Sequence, residues 1–410
     1  MVSILNKDSI IKETFNTNVR YSCDVLICGG GFAGVSAALA ATRQGKKVIL
    51  LEREFILGGL GTAGLVTIYL PLCDGLGRQV TFGIAEELLR LSISMGHEEG
   101  YPYPENWLEN NDISKRTNKD NRFAVQYNAH LFAMLVEQLL LNEGVEILYG
   151  THAVAVSKKD RTINSVIIEN KSGRSAIVAN SVVDATGDCD IAYLAGLETQ
   201  TFSRGNRLAA WYYYLGENGY NLNMLGCSDI SPEYVDVDQT MLVEERFAGI
   251  DALEISKMII LSHEQILSDI IEKRKNDQSF IPVTLPTIPQ IRMTRKIVGE
   301  YILDESESHK YFEDSIGIVS DWRKRGPVFE VPFSTLISSK IKNLIVAGRC
   351  TSVTDEMWDI MRVIPCCAVT GQAAGTAAAL TNDFSKLNIK ELHQILKNEG
   401  VIIHESELSN

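Results

Sequence analysis

Short apolar bursts alternate with longer stretches of helical period along this chain. Val25 to Ile27 have the length and β-branched content of a central parallel strand, and Lys47 to Glu52 form a second such burst ending in a carboxylate. Between them, residues from about Ala33 to Gln44 are small and apolar, which predicts a helix lying close on a sheet, ended by Gly45. Phe82 to Leu91 places Ile84, Leu88, Leu89 and Leu91 on or near one helical face. Asn128 is positioned to cap a helix running through Leu141, closed by Gly144 ahead of a strand from Val145 to Leu148. A β-meander follows, His152 to Ser157, Ser165 to Glu169 and Ser175 to Val178, divided by polar turns. A short buried strand, Ser181 to Gly187, ending in small residues, then returns the chain to the sheet beside the first strand.

From about Glu198 to Val328 the pattern changes. Aromatics cluster on a predicted strand at Trp211 to Tyr214, where alternate residues face opposite sides, and an amphipathic helix is expected from Leu253 to Lys273. Asn343 to Ala347 is again an apolar strand leading into Gly348 and Arg349, and Pro365 opens an Ala/Gly-rich helix to Leu380. The reading is an α/β chain with a Rossmann-like domain of parallel sheet plus β-meander, into which a second, α+β domain is inserted. The expected boundaries are an N-terminal extension over 1–20, the first part of the nucleotide-binding domain over 21–198, the insertion over 199–328, and the remainder over 329–410. Gly100 to Asn121, polar and rich in Pro and Asn, is predicted to be an exposed excursion.

The junction of first strand and first helix carries the chemistry. Gly29, Gly31 and Gly34 fall at G-x-G-x-x-G spacing. The first permits a tight turn, the second lets backbone approach a pyrophosphate, and the third lets helix and strand pack closely. The helix then aims free N–H groups and its positive dipole end at the phosphates, and Glu52 at the end of the second strand can accept from a ribose diol. Strand, glycines, helix, strand and acid in this order predict a dinucleotide site.

Composition narrows the partners. At 410 residues the chain suits two or three domains; 45% of residues are apolar and 22% charged. The net charge of −13, with no Lys/Arg-rich run, argues against nucleic acid or anionic membrane as a partner. No window reaches membrane-spanning length and the first twenty residues lack a continuous hydrophobic region, so a cytoplasmic protein is expected. The eight cysteines are scattered without C-x-x-C spacing, and no His/Cys/carboxylate cluster has metal-ligand spacing, so no metal is expected. His130 reads as a core residue on an apolar helix face, and His152 opens a meander strand without a visible partner.

With these pieces placed, the chain resembles the flavin-dependent oxidoreductases of the glutathione-reductase-like superfamily, in particular the bacterial FAD-dependent oxidoreductases related to glucose-inhibited division protein A and fumarate reductase flavoproteins. The resemblance rests on Val25 to Gly34 with Glu52, the glycine loop Gly58 to Gly64, Val183 to Asp188 (VDATGD), Leu344 to Arg349 (LIVAGR) and Arg362 to Gly375. It implies FAD as cofactor. By that resemblance Gly29, Gly31, Phe32, Ala33 and Gly34 hold the pyrophosphate, with Glu52 and Arg53 at the adenosine ribose. Gly59 and Thr62 belong to the second glycine loop, Val154 meets the adenine, and Thr186 and Gly187 pass the adenosine half. Gly348 and Arg349 approach the pyrophosphate and ribityl chain, and Ile364 and Cys366 border the flavin ring. No second glycine fingerprint is present, so electrons are expected to pass directly between flavin and a small-molecule substrate.

Hydride transfer to a flavin needs a donor carbon placed on the ring and a base or cation to manage charge. Arg292 and Arg295, three apart, would share a face on a helix and diverge on a strand, and Arg362 stands just ahead of the ring-edge helix. These three are the candidate substrate cations, each weighed against ordinary ion pairing; for Arg362 the partners in reach are Glu356 and Asp359. A tRNA-modifying flavoprotein and a flavin-bound, non-catalytic subunit are the alternatives.

Overall fold

The computed structural model describes residues 11–96, 125–217, 219–226 and 241–408. The expected excursion at Gly100 to Asn121 lies outside the described residues. In chain order the first elements are β1 (Val19–Cys28), α1 (Phe32–Arg43), β2 (Val48–Leu51), β3 (Ile68–Tyr69), α2 (Ile84–Ile93), β4 (Val125–Gln126), α3 (Ala129–Asn142) and β5 (Glu146–Leu148). The meander strands β6 (His152–Lys159), β7 (Thr162–Asn170) and β8 (Gly173–Asp184) follow, then α4 (Asp190–Leu194). As expected, Asn128 caps α3, its side chain accepting from His130 N and Leu131 N.

One sheet carries the molecule: β5-β2-β1-β8-β7-β6, with β16 (Leu344–Val346) also paired to β8. Strands β5, β2, β1, β8 and β16 run parallel, the doubly wound arrangement in which ligands bind beyond the carboxyl ends of the strands. The strands read as Ser175–Val178 and Ser181–Gly187 are one element that ends at Asp184, because the alternation of buried and exposed side chains continues through Ala179 and Asn180 without a turn. Along one edge β8 pairs with β1 from Ala176 to Asp184; along the other it shares its length between β7 at Gly173–Ile177 and β16 at Val182–Asp184. The meander is therefore an antiparallel extension of the same sheet.

The second region comprises β9 (Thr199–Thr201), β10 (Ala210–Gly216), β11 (Gly219–Leu225), α5 (Ala252–Lys273), β12 (Ile281–Thr284) and β13 (Arg295–Ile297). β11-β10-β12 form a sheet, and β13 pairs with β9. The aromatic strand splits by period two: Tyr212 packs with Ile266 and Phe280 beneath α5, whereas Tyr213 clusters with Leu65 and Ala129 on the opposite face. β14 (Ser315–Ser320) and β15 (Val328–Pro332) make a hairpin whose Ile316, Val319, Phe329 and Val331 belong to the main core. The expected boundary at 328/329 falls inside β15 and would part that strand from β14.

The chain closes with α6 (Asp355–Met361), α7 (Ile364–Leu380) and α8 (Ile389–Asn398). Helices α1 and α7 cross almost backbone to backbone: a Cβ added at Gly371 would stand 2.2 Å from Ala33 O, and one at Gly375 2.1 Å from Ala37 O. The small residues of α7 thus serve close packing over the sheet. Among the described residues no single helix is long and apolar enough to cross a membrane.

Candidate functional site

At the carboxyl ends of β1, β2, β8 and β16 lies a cavity of about 490 Å³. Its first wall is the turn after β1. Gly29 takes φ +104° against Ala185 and Thr186, where a Cβ would lie 2.5 Å from Ala185 O, and the backbone then enters α1. Helix α1 starts at Gly31 with no side-chain cap, which leaves first-turn amides to face the cavity. A Cβ added at Gly31 would meet nothing within 4 Å, so the space beside this backbone is open. Gly34 turns the other way: its Cβ would fall 1.8 Å from Gly29 O, so it serves the helix–strand contact and does not line the cavity.

Glu52 closes the cavity at the end of β2. It is buried, with Oε2 accepting from Gly30 N at 2.8 Å and Oε1 from Glu54 N at 2.9 Å. Burial raises its pKa, opposed by these amides. Each oxygen keeps a second lone pair, the acceptor capacity a ribose diol uses. Arg53, half-exposed beside Glu54, lines the same end. The loop from Gly58 to Gly61 folds over Gly31, with Gly58 N donating to Gly30 O at 2.8 Å. Gly59 lines the cavity, whereas Thr62 stands behind the turn, its hydroxyl donating to Leu57 O. Val154 does not line it either; Thr151, His152 and Ala153 do, because β6 passes the cavity at its start and then leads away. His152 is thus brought to the site, and His130, expected in the core, is exposed on α3.

Thr186, Gly187 and Asp188 after β8 continue the wall beside the Gly29 turn, and beyond them the wall is built by Gly348 and Arg349 after β16 and by Ile364 and Cys367 on α7. Cys366 points into the main core and Cys367 takes its place at the wall, since one residue along a helix turns the side chain by about 100°. Burial pushes the Cys367 thiol up to about 12, so it stands protonated. Arg349 lies across Gly187 and donates to Ile291 O at 3.1 Å and Arg292 O at 2.9 Å. It ties the nucleotide-binding loops to the second region, whose Gly249, Ile255 and Thr287 to Ile291 form the opposite wall. Helix α7 presents its N-terminus here with Pro365 in its first turn and no side-chain cap.

The three arginines separate. Arg362 reaches the cavity; its Nε donates to Asp359 Oδ1 at 2.8 Å and its guanidinium lies 5.7 Å from the Trp322 ring. Arg292 and Arg295 do not line the cavity. Arg292 is in irregular backbone, bonded to Gln290 O and lying over Trp211. Arg295 opens β13, pairs with Asp190 at 2.6 Å, donates to Asp188 O and covers Tyr193. No helix exists there to put the two on one face. Asp190 and the Thr287–Ile291 segment line the cavity without a sequence signal, whereas Asp188, last residue of the VDATGD run, and Leu60, inside the Gly58–Gly64 loop, stood within recognised motifs but were not singled out.

These features fit a flavin adenine dinucleotide: an open cradle at Gly31, an uncapped helix over it, a buried carboxylate at one end and a second uncapped helix at the other. Comparison with known proteins agrees. A flavin-dependent halogenase of Armillaria mellea is 26% identical over 217 residues, covering 50% of this chain and 39% of that protein. A thioredoxin reductase of Ureaplasma parvum is 33% identical over 75 residues, 18% of this chain and 24% of that protein. The chain therefore spans less than half the length of these relatives. Among solved structures, a geranylgeranyl bacteriochlorophyll reductase-like protein of Thermoplasma acidophilum aligns over 92% of this chain and 84% of its own, at 15% identity and a TM-score of 0.43. The description "FAD dependent oxidoreductase" matches residues 24–210 and 206–396, nearly the whole chain, and to that FAD-binding family this protein belongs.

Proposed function

We propose that this enzyme transfers a hydride between a small polar organic substrate and the N5 position of its flavin. One observation carries the reading: a continuous cleft runs from the Gly29–Ala33 cradle to α7 and is lined also by Thr287–Pro289, Ile291 and Arg362, room for a ring and a substrate side by side. The bound cofactor supplies a two-electron donor or acceptor. The chain does the rest. Ile288, Pro289, Ile291 and Ile364 give an apolar wall that excludes water from the reacting carbon. Arg362, fixed by Asp359 and Trp322, offers a positive edge to an oxygen or carboxylate of the substrate. The α7 N-terminus stabilises negative charge on whatever lies against it. Arg295 and Arg349 act as positioning groups that hold the Asp188–Asp190 loop.

Anaerobic mixing of the flavin-loaded protein with pooled hydroxy acids, sugars and amines tests this directly. One pool is expected to bleach the flavin absorbance, and Arg362→Ala to abolish that bleaching. Bleaching by NADPH alone, with no pool active, would overturn direct exchange with a substrate.

A further inference from the structure

Two cysteines 161 positions apart meet behind the cavity wall. Cys189 directly follows the Thr186–Asp188 loop and Cys350 directly follows the Gly348–Arg349 turn, both of which line the cavity. The backbone N–H of Cys189 donates to Cys350 Sγ at 3.2 Å, and the two Sγ atoms lie within 4.8 Å of each other and of an Asp184 carboxylate oxygen. Both side chains are fully buried, and neither is in a disulfide. Cys189 also holds a left-handed conformation, φ +59° and ψ +34°, that glycine or asparagine takes at less cost. A strained non-glycine residue with its side chain against a second thiol points to a use for that side chain.

We propose that Cys189 and Cys350 are a redox-closing pair, whose oxidation to a disulfide pins the Thr186–Asp188 loop to the Gly348–Arg349 turn and locks the cofactor in its cavity. The segments are already in close packing one residue earlier, where a Cβ on Gly187 would lie 2.4 Å from Arg349 Nη2. Closing the pair requires the sulfurs to move from within 4.8 Å of each other to the bonded separation of about 2.05 Å. The oxidant is a peroxide. One thiol sulfur takes an oxygen from hydrogen peroxide, giving a sulfenic acid and one water; the second thiol displaces the hydroxyl as a second water. The sulfurs lose two electrons in all and the peroxide gains them. Burial, with Cys350 and Asp184 beside it, holds the Cys189 thiol well above its usual range, opposed by the charge of Arg295.

A metal site is the competing use of the same atoms. Asp184 speaks against it: Oδ1 already accepts from Thr186 N and Thr186 Oγ1, and Oδ2 from Ala192 N, which fixes the loop onto α4.

The test treats the full-length, flavin-loaded protein with hydrogen peroxide, alkylates it, and maps peptides without reductant. A linked Cys189–Cys350 peptide that dithiothreitol removes is expected, together with flavin release about tenfold slower than from untreated protein. In Cys350→Ser, peroxide should leave the release rate unchanged; where that variant does not fold, restoration of the wild-type rate by dithiothreitol gives the same answer. The proposal fails if either cysteine goes to sulfinic acid or pairs elsewhere, or if the link forms without slowing release. Stoichiometric cadmium uptake by untreated protein, with a thiolate absorption band lost in Cys189→Ser, would also overturn it in favour of a metal site.

Discussion

The two ends of the cavity are made of different material. At the glycine-turn end, the Gly29–Gly34 turn and Glu52 do the work with backbone amides, absent Cβ atoms and one buried carboxylate, all within about thirty residues. At the other, proposed here as the ring end, side chains from Ile255, Ile291, Arg349, Arg362 and Cys367 converge from segments spread over the second half of the chain, several of them held in ion pairs and carbonyl contacts. A site made of backbone is fixed by local sterics and so serves any member of a large family. A site made of side chains takes its geometry from tertiary packing, and there specificity can change while the nucleotide cradle stays the same.

Glycine substitutions probe the first end most severely. Gly34→Val would put a side chain where even a Cβ stands 1.8 Å from Gly29 O, so soluble flavin-bound protein should be lost altogether, as judged by yield and flavin absorbance. Gly31→Ala in the same motif meets no protein atom, so its melting temperature without flavin should stay within about 2 °C of wild type. Its added methyl enters the phosphate cradle, and flavin affinity should fall by at least about tenfold in a fluorescence titration. If Gly31→Ala unfolds the protein as Gly34→Val does, the division between packing glycine and cradle glycine is wrong. Next in size is Glu52→Gln. An amide has one acceptor oxygen for the two N–H groups of Gly30 and Glu54, and cannot also take a ribose diol at both oxygens, so about tenfold weaker flavin binding is expected.

The same division explains what the sequence disclosed. Helix α1, strand β2, the end of strand β1 and the cap at Asn128 stand within a residue or two of their expected places, because a glycine turn, a capping side chain and hydrophobic period act locally; β1 begins well before the expected Val25, at Val19, where its pairing with β8 carries it into the polar residues ahead of the apolar burst. The joining of two short strands into β8 was hidden, since its middle depends on pairing with β1 along the whole length. Arg292 and Arg295 read as a clamp only if a helix carried them; their irregular and extended backbone is set by β13 pairing with β9. Cys367 displaced Cys366 from the wall because the phase of α7 is fixed by its crossing with α1, at Gly371 and Gly375. Cys189 and Cys350 had no sequence relation at all until β8 and β16 were laid side by side.

At the ring end, conservative changes separate the arginines. Arg295→Lys loses the two-pronged contact with Asp190 and Asp188 O and the cover on Tyr193, and should lower the melting temperature by about 2–4 °C while leaving flavin reduction by an active substrate unchanged. Arg362→Lys loses a comparable contact, with Asp359 and over Trp322, and should lower the melting temperature by a similar amount, but unlike Arg295→Lys it should also slow that reduction by about tenfold or more. Equal effects of the two on reduction would return Arg295 to the substrate site.

The smallest effect comes from Asp190, where the two ends meet. Burial, then the neighbouring charges of Asp188 and Asp184, push its carboxyl up to about 6 despite the ion pair with Arg295. In the unfolded chain the same carboxyl titrates near 3.9. Between these values the folded protein holds a proton that the unfolded chain has released, so the group's contribution to stability is full below about 3.9 and is lost as pH rises through about 6. Asn at this position keeps an acceptor for Arg295 and does not ionise. The melting temperature of Asp190→Asn relative to wild type should therefore climb between pH 4 and pH 7, by about 1–2 °C, the partial exposure of this carboxylate keeping the change small. A difference that is flat across this window would mean that Arg295 alone sets the charge of the loop, and that the carboxylates beside the cavity do not act on one another.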